Sequence, residues 1–349
     1  MDEVILSDAL IHQDLFPFGQ LGSVADIRIG ILSIREKWEK IFGYHVLTSR
    51  EHGHHAPAIA ANMIPDAALV DSFRQGKHQH FMTSANHVLK TLQYPWQIFE
   101  WNDEMLRQDF SSITRGRTSA PIPASNRVVH PENIFLEKGA RAEHCMLNAT
   151  SGPIYLGENT EVMEGAMIRG PFALCEGSTV KMGATIYGAT TIGPYSVVGG
   201  EIKNSVLFGY SNKSHHGYLG DSVIASWCNL GAGTSNSNLK NNAGPVRVWS
   251  HAKQAFMEAG MKCGLFMGDY SRSAINTSFN TGTIVGVCCN IFGESSPSKY
   301  VPNFSWGQRG MYSYELEKAL VDIAAWKKMK HQELAEDEIK RLKYIFEKS

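Results

Sequence analysis

The stretch that decides the fold is Leu156–Val198, LGENTEVMEGAMIRGPFALCEGSTVKMGATIYGATTIGPYSVV. Counting in sixes gives Leu156, Val162, Ile168, Leu174, Val180, Ile186, Ile192 and Val198, all aliphatic. Four residues further on in each repeat stand Thr160, Ala166, Phe172, Ser178, Ala184, Thr190 and Ser196, all small except Phe172. A helix repeats every ~3.6 residues and a half-buried strand every two, so neither produces this period. An aliphatic that fills an interior, followed by a small residue at a corner, fits a coil of short flat strands. This is the hexapeptide β-helix pattern. Glycines such as Gly177, Gly183 and Gly188 supply the turns.

Working outward, the phase is lost after Val198. Residues 203–218 show no obvious hexad, and apolar positions resume at Leu219, Ile224 and Leu230. A second break covers roughly 235–263, and the pattern returns through GDYSRSAINTSFNTGTIVGVCCNIFG. A break in a repeat array predicts a loop projecting from the coil, and such loops often carry function.

The chain before the repeat, about 1–120, is different in kind. VADIRIGILSIREKWEKIFG predicts an amphipathic helix with Ile31, Ile34, Trp38, Ile41 and Phe42 near one face and Gly43 as its C-cap. RGRTSAPIPASNR, 115–127, is polar and Pro-rich and reads as a linker ending by about 130. The β-helix is expected over 131–300 and a helical extension over 301–349, with Leu316, Leu320, Ile323 and Trp326 on one stripe.

Composition excludes several classes. The net charge is −1, so no basic field suggests nucleic acid. No apolar run approaches the ~18 residues of a membrane span. The N-terminus MDEVILSDAL lacks the basic and apolar regions of a signal peptide. The six cysteines form no C-x-x-C, so a cytoplasmic protein with reduced thiols is expected. His52, His54, His55, His78 and His80 have no zinc-type spacing and read as solvated loop residues, so no metal site is expected. The run KKMKHQELAEDEIKRLK is mixed in charge and reads as a solvated helix face.

Most of the candidate chemistry lies in 199–239, GGEIKNSVLFGYSNKSHHGYLGDSVIASWCNLGAGTSNSNL. Glu201, Lys203, His215, His216, Tyr218, Asn229 and Asn238 are distant in sequence, but a coil stacks residues one turn apart. An adjacent imidazole and cations suit acyl transfer to an amine. A histidine of pKa ~6.5 can take the proton of an amine that must be neutral to attack. A backbone N–H in Gly-rich chain can face a tetrahedral oxyanion, and lysines can hold a phosphate.

This stretch resembles the acetyltransferase half of the bifunctional bacterial enzyme that makes UDP-N-acetylglucosamine. That family carries E-x-K, G-H-x-x-Y-L-G-D, N-[IV]-G-A-G-T and C-N-Y on a left-handed parallel β-helix. Here stand Glu201-Ile202-Lys203, Ser214-His215-His216-Gly217-Tyr218-Leu219-Gly220-Asp221, Asn229-Leu230-Gly231-Ala232-Gly233-Thr234 and Ser237-Asn238-Leu239, without gaps from Glu201 to Asn238. The resemblance implies that His215 is the general base, helped by Glu201. Lys203 and Tyr218 would hold the sugar phosphate. Asn229 and Asn238 would position the amine and the acetyl donor, and the Ala232 N–H would face the thioester oxygen. Lys181 takes the place of the family's phosphate-binding arginine across a three-residue gap. His216 falls on a variable position, and Leu239 replaces a tyrosine. The implied donor is acetyl-CoA, the implied acceptor glucosamine 1-phosphate and the implied assembly a homotrimer.

VADIRIGILSIREKWEK, GDYSRSAINTSFNTGTIVGV and SKYVPNFSWG resemble a Bacteroidetes family of alternative versions of this enzyme. Its members have a shortened nucleotidyltransferase-like α/β region before the β-helix and are named for diphosphorylase (uridylyltransferase) and acetyltransferase activities. A Gly-rich phosphate loop of the form G-G-x-G-T-R is absent, and PFGQLGSVADIR stands where the family has a Thr-Arg pair. Arg28 and Arg35 remain as nucleotide-binding candidates, with Mg2+ and UTP as cofactors if this region is active. The alternatives to acetyl transfer are therefore uridylyl transfer by the N-terminal region, and a non-catalytic β-helix scaffold or sugar-nucleotide sensor.

Overall fold

The computed structural model describes residues 5–9, 11, 15–51, 58–66, 90–293, 296–307 and 312–349. The five histidines at 52, 54, 55, 78 and 80 lie outside the described residues.

From Arg127 onward the chain winds into a left-handed parallel β-helix of about ten turns, whose three faces are parallel sheets of very short strands. The first sheet runs from Arg127–Val129 to Tyr218–Gly220, the second from Ile134–Leu136 to Tyr300–Val301, and the third from Arg141–Ala142 to Ser305–Trp306. Register follows the hexads. Ile154 pairs with Phe172 and Phe172 with Thr190, a full coil of three hexads. Leu156, Leu174, Val180, Ile192 and Val198 are wholly buried inside. Each contributes roughly 1.5–3 kcal/mol by leaving water. The small positions sit at corners: Thr160, Ala166, Ser178, Ala184, Thr190 and Ser196 are all 0% exposed. Corner serines also bind the coils together. The Ser178 hydroxyl donates to the Gly193 carbonyl at 2.7 Å and accepts from the Ser196 amide at 3.1 Å.

The first break in the hexad is not a projecting loop. Strands continue through it at Glu201–Lys203, Val206–Leu207, Asn212–Lys213 and Tyr218–Gly220. The coil is tightened at its corners, so that Ile192 pairs with Leu207 and Val198 with Lys213. A lysine therefore occupies an interior position. The second break does project. The chain leaves the coil after Asn238, forms the antiparallel hairpin Arg247–Ser250 and Ala255–Glu258, and returns at Cys263, whose amide donates to the Asn238 carbonyl at 2.9 Å.

Two of the three faces are covered. The N-terminal region has a parallel sheet with Ile5–Ser7 between Leu47–Thr48 and Ala58–Ala60. Its helix Ile34–Phe42 starts at a Ser33–Glu36 capping box and stops at Gly43, φ +77, as the sequence predicts. This region packs on the second face, so strands there are buried on both sides. Phe18 meets Phe208 at 5.2 Å, and the Asn102 amide donates to the Ala189 carbonyl at 2.9 Å. The C-terminal helices Leu316–Met329 and Glu336–Glu347 dock against a corner ladder of stacked Tyr210, Trp227 and Tyr270, with the Lys327 ammonium 5.3 Å from the Trp227 ring. The first face alternates buried and exposed residues and stays open.

Candidate functional site

The open first face carries the polar set. Glu201 pairs with Thr185 on one side and Tyr218 on the other, and Lys203 pairs with Tyr187 and Gly220. Outward side chains on neighbouring strands are thus about 4.8 Å apart along the sheet. The Tyr187 hydroxyl donates to Glu201 Oε1 at 2.6 Å. That bond, burial and the same carboxylate's charge push the Tyr187 pKa up to about 12. The Tyr218 pKa is also raised, first by burial and then by Asp221, Tyr187 and Glu201.

Asn238 reaches this cluster from the point where the coil gives way to the hairpin. Its amide donates to the Tyr218 hydroxyl at 3.0 Å and to Asp221 Oδ2. Asp221 is 4% exposed and left-handed at φ +48. Its other oxygen accepts from the Asn204 amide at 2.7 Å. Asp221 therefore fixes Asn238, which bonds Tyr218, which stands beside Glu201.

His215 lies on the turn before this face, at the end of the third sheet. The Tyr218 amide bonds the Ser235 hydroxyl and Asn212 pairs with Asn229. The same register stacks Ala232 over His215. The Ala232 N–H has no acceptor among the described residues. Glycines allow the close stacking. A Cβ on Gly199 would lie 2.5 Å from the Ser214 carbonyl oxygen, and one on Gly217 would lie 2.1 Å from that of Thr234. Lys181 occupies the same column one coil earlier, with its Cβ 3.2 Å from that Gly199 position.

Both His215 and His216 are exposed, and neither ring has a hydrogen bond among the described residues. The Glu201 carboxylate is engaged by Tyr187, and nothing in the structure joins it to His215. Lys203 and Lys181 have no ion pair among the described residues, so both ammonium groups are free to meet an anion. Asn229 stands on the third sheet between Asn212 and Arg272, on a different face from Lys203 and Tyr218.

Arg28 and Arg35 are committed inside the N-terminal region. Arg28 is 9% exposed, 3.3 Å from Glu36, and donates to the Ile31 carbonyl. Arg35 is held by Asp26 at 2.8 Å and Glu51 at 2.9 Å. Asp8, just after the first strand, accepts from the Ser23 hydroxyl at 2.8 Å, the Val24 amide at 2.7 Å and the Arg50 guanidinium at 2.9 Å. Among the described residues no group of three or more His, Cys, Asp or Glu could hold a metal ion, and no helix is long and apolar enough to cross a membrane.

Sequence reading missed Tyr187, Asp221 and Lys213. Asp221 ends the Tyr-Leu-Gly-Asp run and was visible there. Tyr187 has no motif, because its contact with Glu201 comes from coil stacking alone.

The fold is a hexapeptide β-helix, and the proteins the chain resembles are transferases. Residues 4–88 match the family described as sugar nucleotidyl transferase. The likeness is to GlmU-type proteins. "Bifunctional protein GlmU" of Methanocaldococcus jannaschii is 33% identical over 120 residues, 34% of this chain and 27% of that protein. The protein of the same name from Methanococcus maripaludis strain C5 is 28% identical over 193 residues, 55% of this chain and 40% of that protein. A "Bifunctional sugar-1-phosphate nucleotidylyltransferase/acetyltransferase" of Sulfurisphaera tokodaii is 36% identical over 92 residues, 26% of this chain and 23% of that protein. The matches span well under half the length of these relatives. Among solved structures, a UDP-N-acetylglucosamine acyltransferase of Francisella novicida aligns with a TM-score of 0.37 and 12% identity, over 66% of this chain and 88% of that one.

Proposed function

We propose that the chain transfers the acetyl group of acetyl-CoA to the amine of an amino-sugar phosphate, with glucosamine 1-phosphate as the acceptor. The observation that carries this reading is the open face. It places an exposed imidazole, two unpaired lysines and a Tyr218–Asn238–Asp221 hydrogen-bonded chain on adjoining surfaces of one coil.

In this reading His215 takes a proton from the attacking amine. The amine nitrogen forms the new bond to the thioester carbon, and the Ala232 N–H faces the oxyanion that develops. The thiolate leaves as that intermediate collapses and carries away a proton. Lys203 and Lys181 hold the phosphate, and Tyr218 and Asn238 orient the sugar. Glu201, bonded to Tyr187, sets the field around Tyr218. Asn229 faces the acetyl donor from the third sheet. A homotrimer would set one copy's open first face against another copy. The site would then lie in the cytoplasm, where acetyl-CoA is available.

The test is an acceptor screen with acetyl-CoA, following release of free thiol. Glucosamine 1-phosphate should release thiol faster than glucosamine or N-acetylglucosamine 1-phosphate. Equal rates with the acetylated sugar would show hydrolysis and reject the reading. A scaffold or sensor would bind no acetyl-CoA in calorimetry.

A second reading, uridylyl transfer, is supported by the family match over 4–88. It predicts pyrophosphate release from UTP with Mg2+ and a sugar 1-phosphate. In this reading Arg28 and Arg35, each paired with carboxylates, would have to exchange those partners to meet a phosphate.

A further inference from the structure

Along the third sheet the interior stack runs Val162, Val180, Val198, Lys213 and Leu230, as the paired registers show. Lys213 is 2% exposed. Its ammonium meets no carboxylate among the described residues. It donates to the Gly199 carbonyl at 3.3 Å and to the His215 carbonyl. Burial alone draws its pKa down to about 8. The flanking ionisable groups are Lys181 two coils before, His215 and His216 on its own turn, and Arg272 on the coil after Asn229. None forms an ion pair with it. An aliphatic residue would fill this place without the desolvation cost of a charge.

Both acceptors belong to the turns that frame the exposed imidazole. A Cβ on Gly200 would lie 2.8 Å from the His215 carbonyl oxygen, so the two turns are in close contact. The His215 ring has no hydrogen bond among the described residues, so its direction depends on where its backbone is held.

We propose that Lys213 is a positioning residue, whose ammonium pins the His215 backbone from inside the coil and so aims the imidazole. The proposal rests on His215 being the base. It requires no contact between Lys213 and substrate, which the coil wall excludes.

The test compares the full-length wild type with Lys213→Met, Lys213→Gln and His215→Ala. Lys213→Met keeps the length and removes the donor. Lys213→Gln keeps a donor without charge and serves if the Met variant misfolds. In the Met variant, exchange of the Glu201 and Gly233 amides, which bond the Gly217 and His216 carbonyls, should quicken about tenfold while the strands at 134–136 and 172–174 stay protected. Its kcat should fall about tenfold with KM changed less than about twofold. Lys213→Gln should recover part of both losses. Wild-type exchange at the Glu201 and Gly233 amides in both variants would overturn the proposal. So would a loss of kcat accompanied by uniformly faster exchange, which marks a general loss of stability. If exchange changes as expected but His215→Ala still transfers acetyl groups, the pinning stands and the assignment of the base fails.

Discussion

Among the described residues no side chain holds the His215 ring, whereas the Asn238 amide is held by both Tyr218 and Asp221. The two respond differently to change. Removing the Asp221 carboxylate frees Asn238 and Asn204 together. Asp221→Ala removes an acceptor from both amides in a half-buried site and leaves the Asn238 amide only its bond to Tyr218, at about 1–3 kcal/mol. Urea unfolding should show that loss, and KM for the sugar phosphate should rise because Tyr218 loses its oriented partner. At this scale the sequence was legible where spacing within one turn carries the signal. The distance from His215 to Tyr218 singled out one of two adjacent histidines. It was silent on Tyr187, because a hydroxyl that bonds Glu201 from the preceding coil leaves no local pattern.

The short coil over 203–218 shows how an element can hide from its own repeat. Lys213 stands where Val198 and Val180 stood one and two coils earlier, so the aliphatic count fails although the strand is there. The tightened corners shift the spacing as well. The projection that holds the hairpin 247–258 and the helix Ile34–Phe42 followed from local signals, a lost period in one case and an apolar stripe with a glycine stop in the other. Two predictions belong to this scale. Gly217 has φ +124 and no room for a Cβ beneath the Thr234 carbonyl. Gly217→Ala should therefore cost about 1–3 kcal/mol and displace the His215 turn, seen as a lower thermal midpoint and lost acetyl transfer. The second follows from Lys213, whose folded pKa of about 8 lies below its ordinary 10.5. Between these values the unfolded chain holds a proton that the folded chain has lost, so stability rises with pH across that window. Below it, the full cost of a buried charge is present. Lys213→Met should be more stable than wild type at pH 7, and the difference should narrow steadily from pH 8 to 10.5.

In the whole molecule, the N-terminal region covers one face of the coil and the C-terminal helices cover part of another. The remaining face exposes Val129, Met146 and Met167 at 45%, 46% and 43%, beside the polar cluster. Contiguous apolar surface of this kind marks an interface. If trimer packing covers it, Met146→Glu with Met167→Glu should yield monomers by light scattering and lose acetyl transfer while the coil stays folded. The order of parts was legible because each has its own periodicity. Which face would stay open was not, because that depends on where the flanking regions pack. The central claim is that one imidazole on this open face drives acetyl transfer. Its most direct test is thiol release from acetyl-CoA with glucosamine 1-phosphate, measured for wild type, His215→Ala and His216→Ala at matched oligomeric state. The account predicts that turnover is abolished in the first variant and largely kept in the second. Equal loss in both, or full activity in His215→Ala, would contradict it.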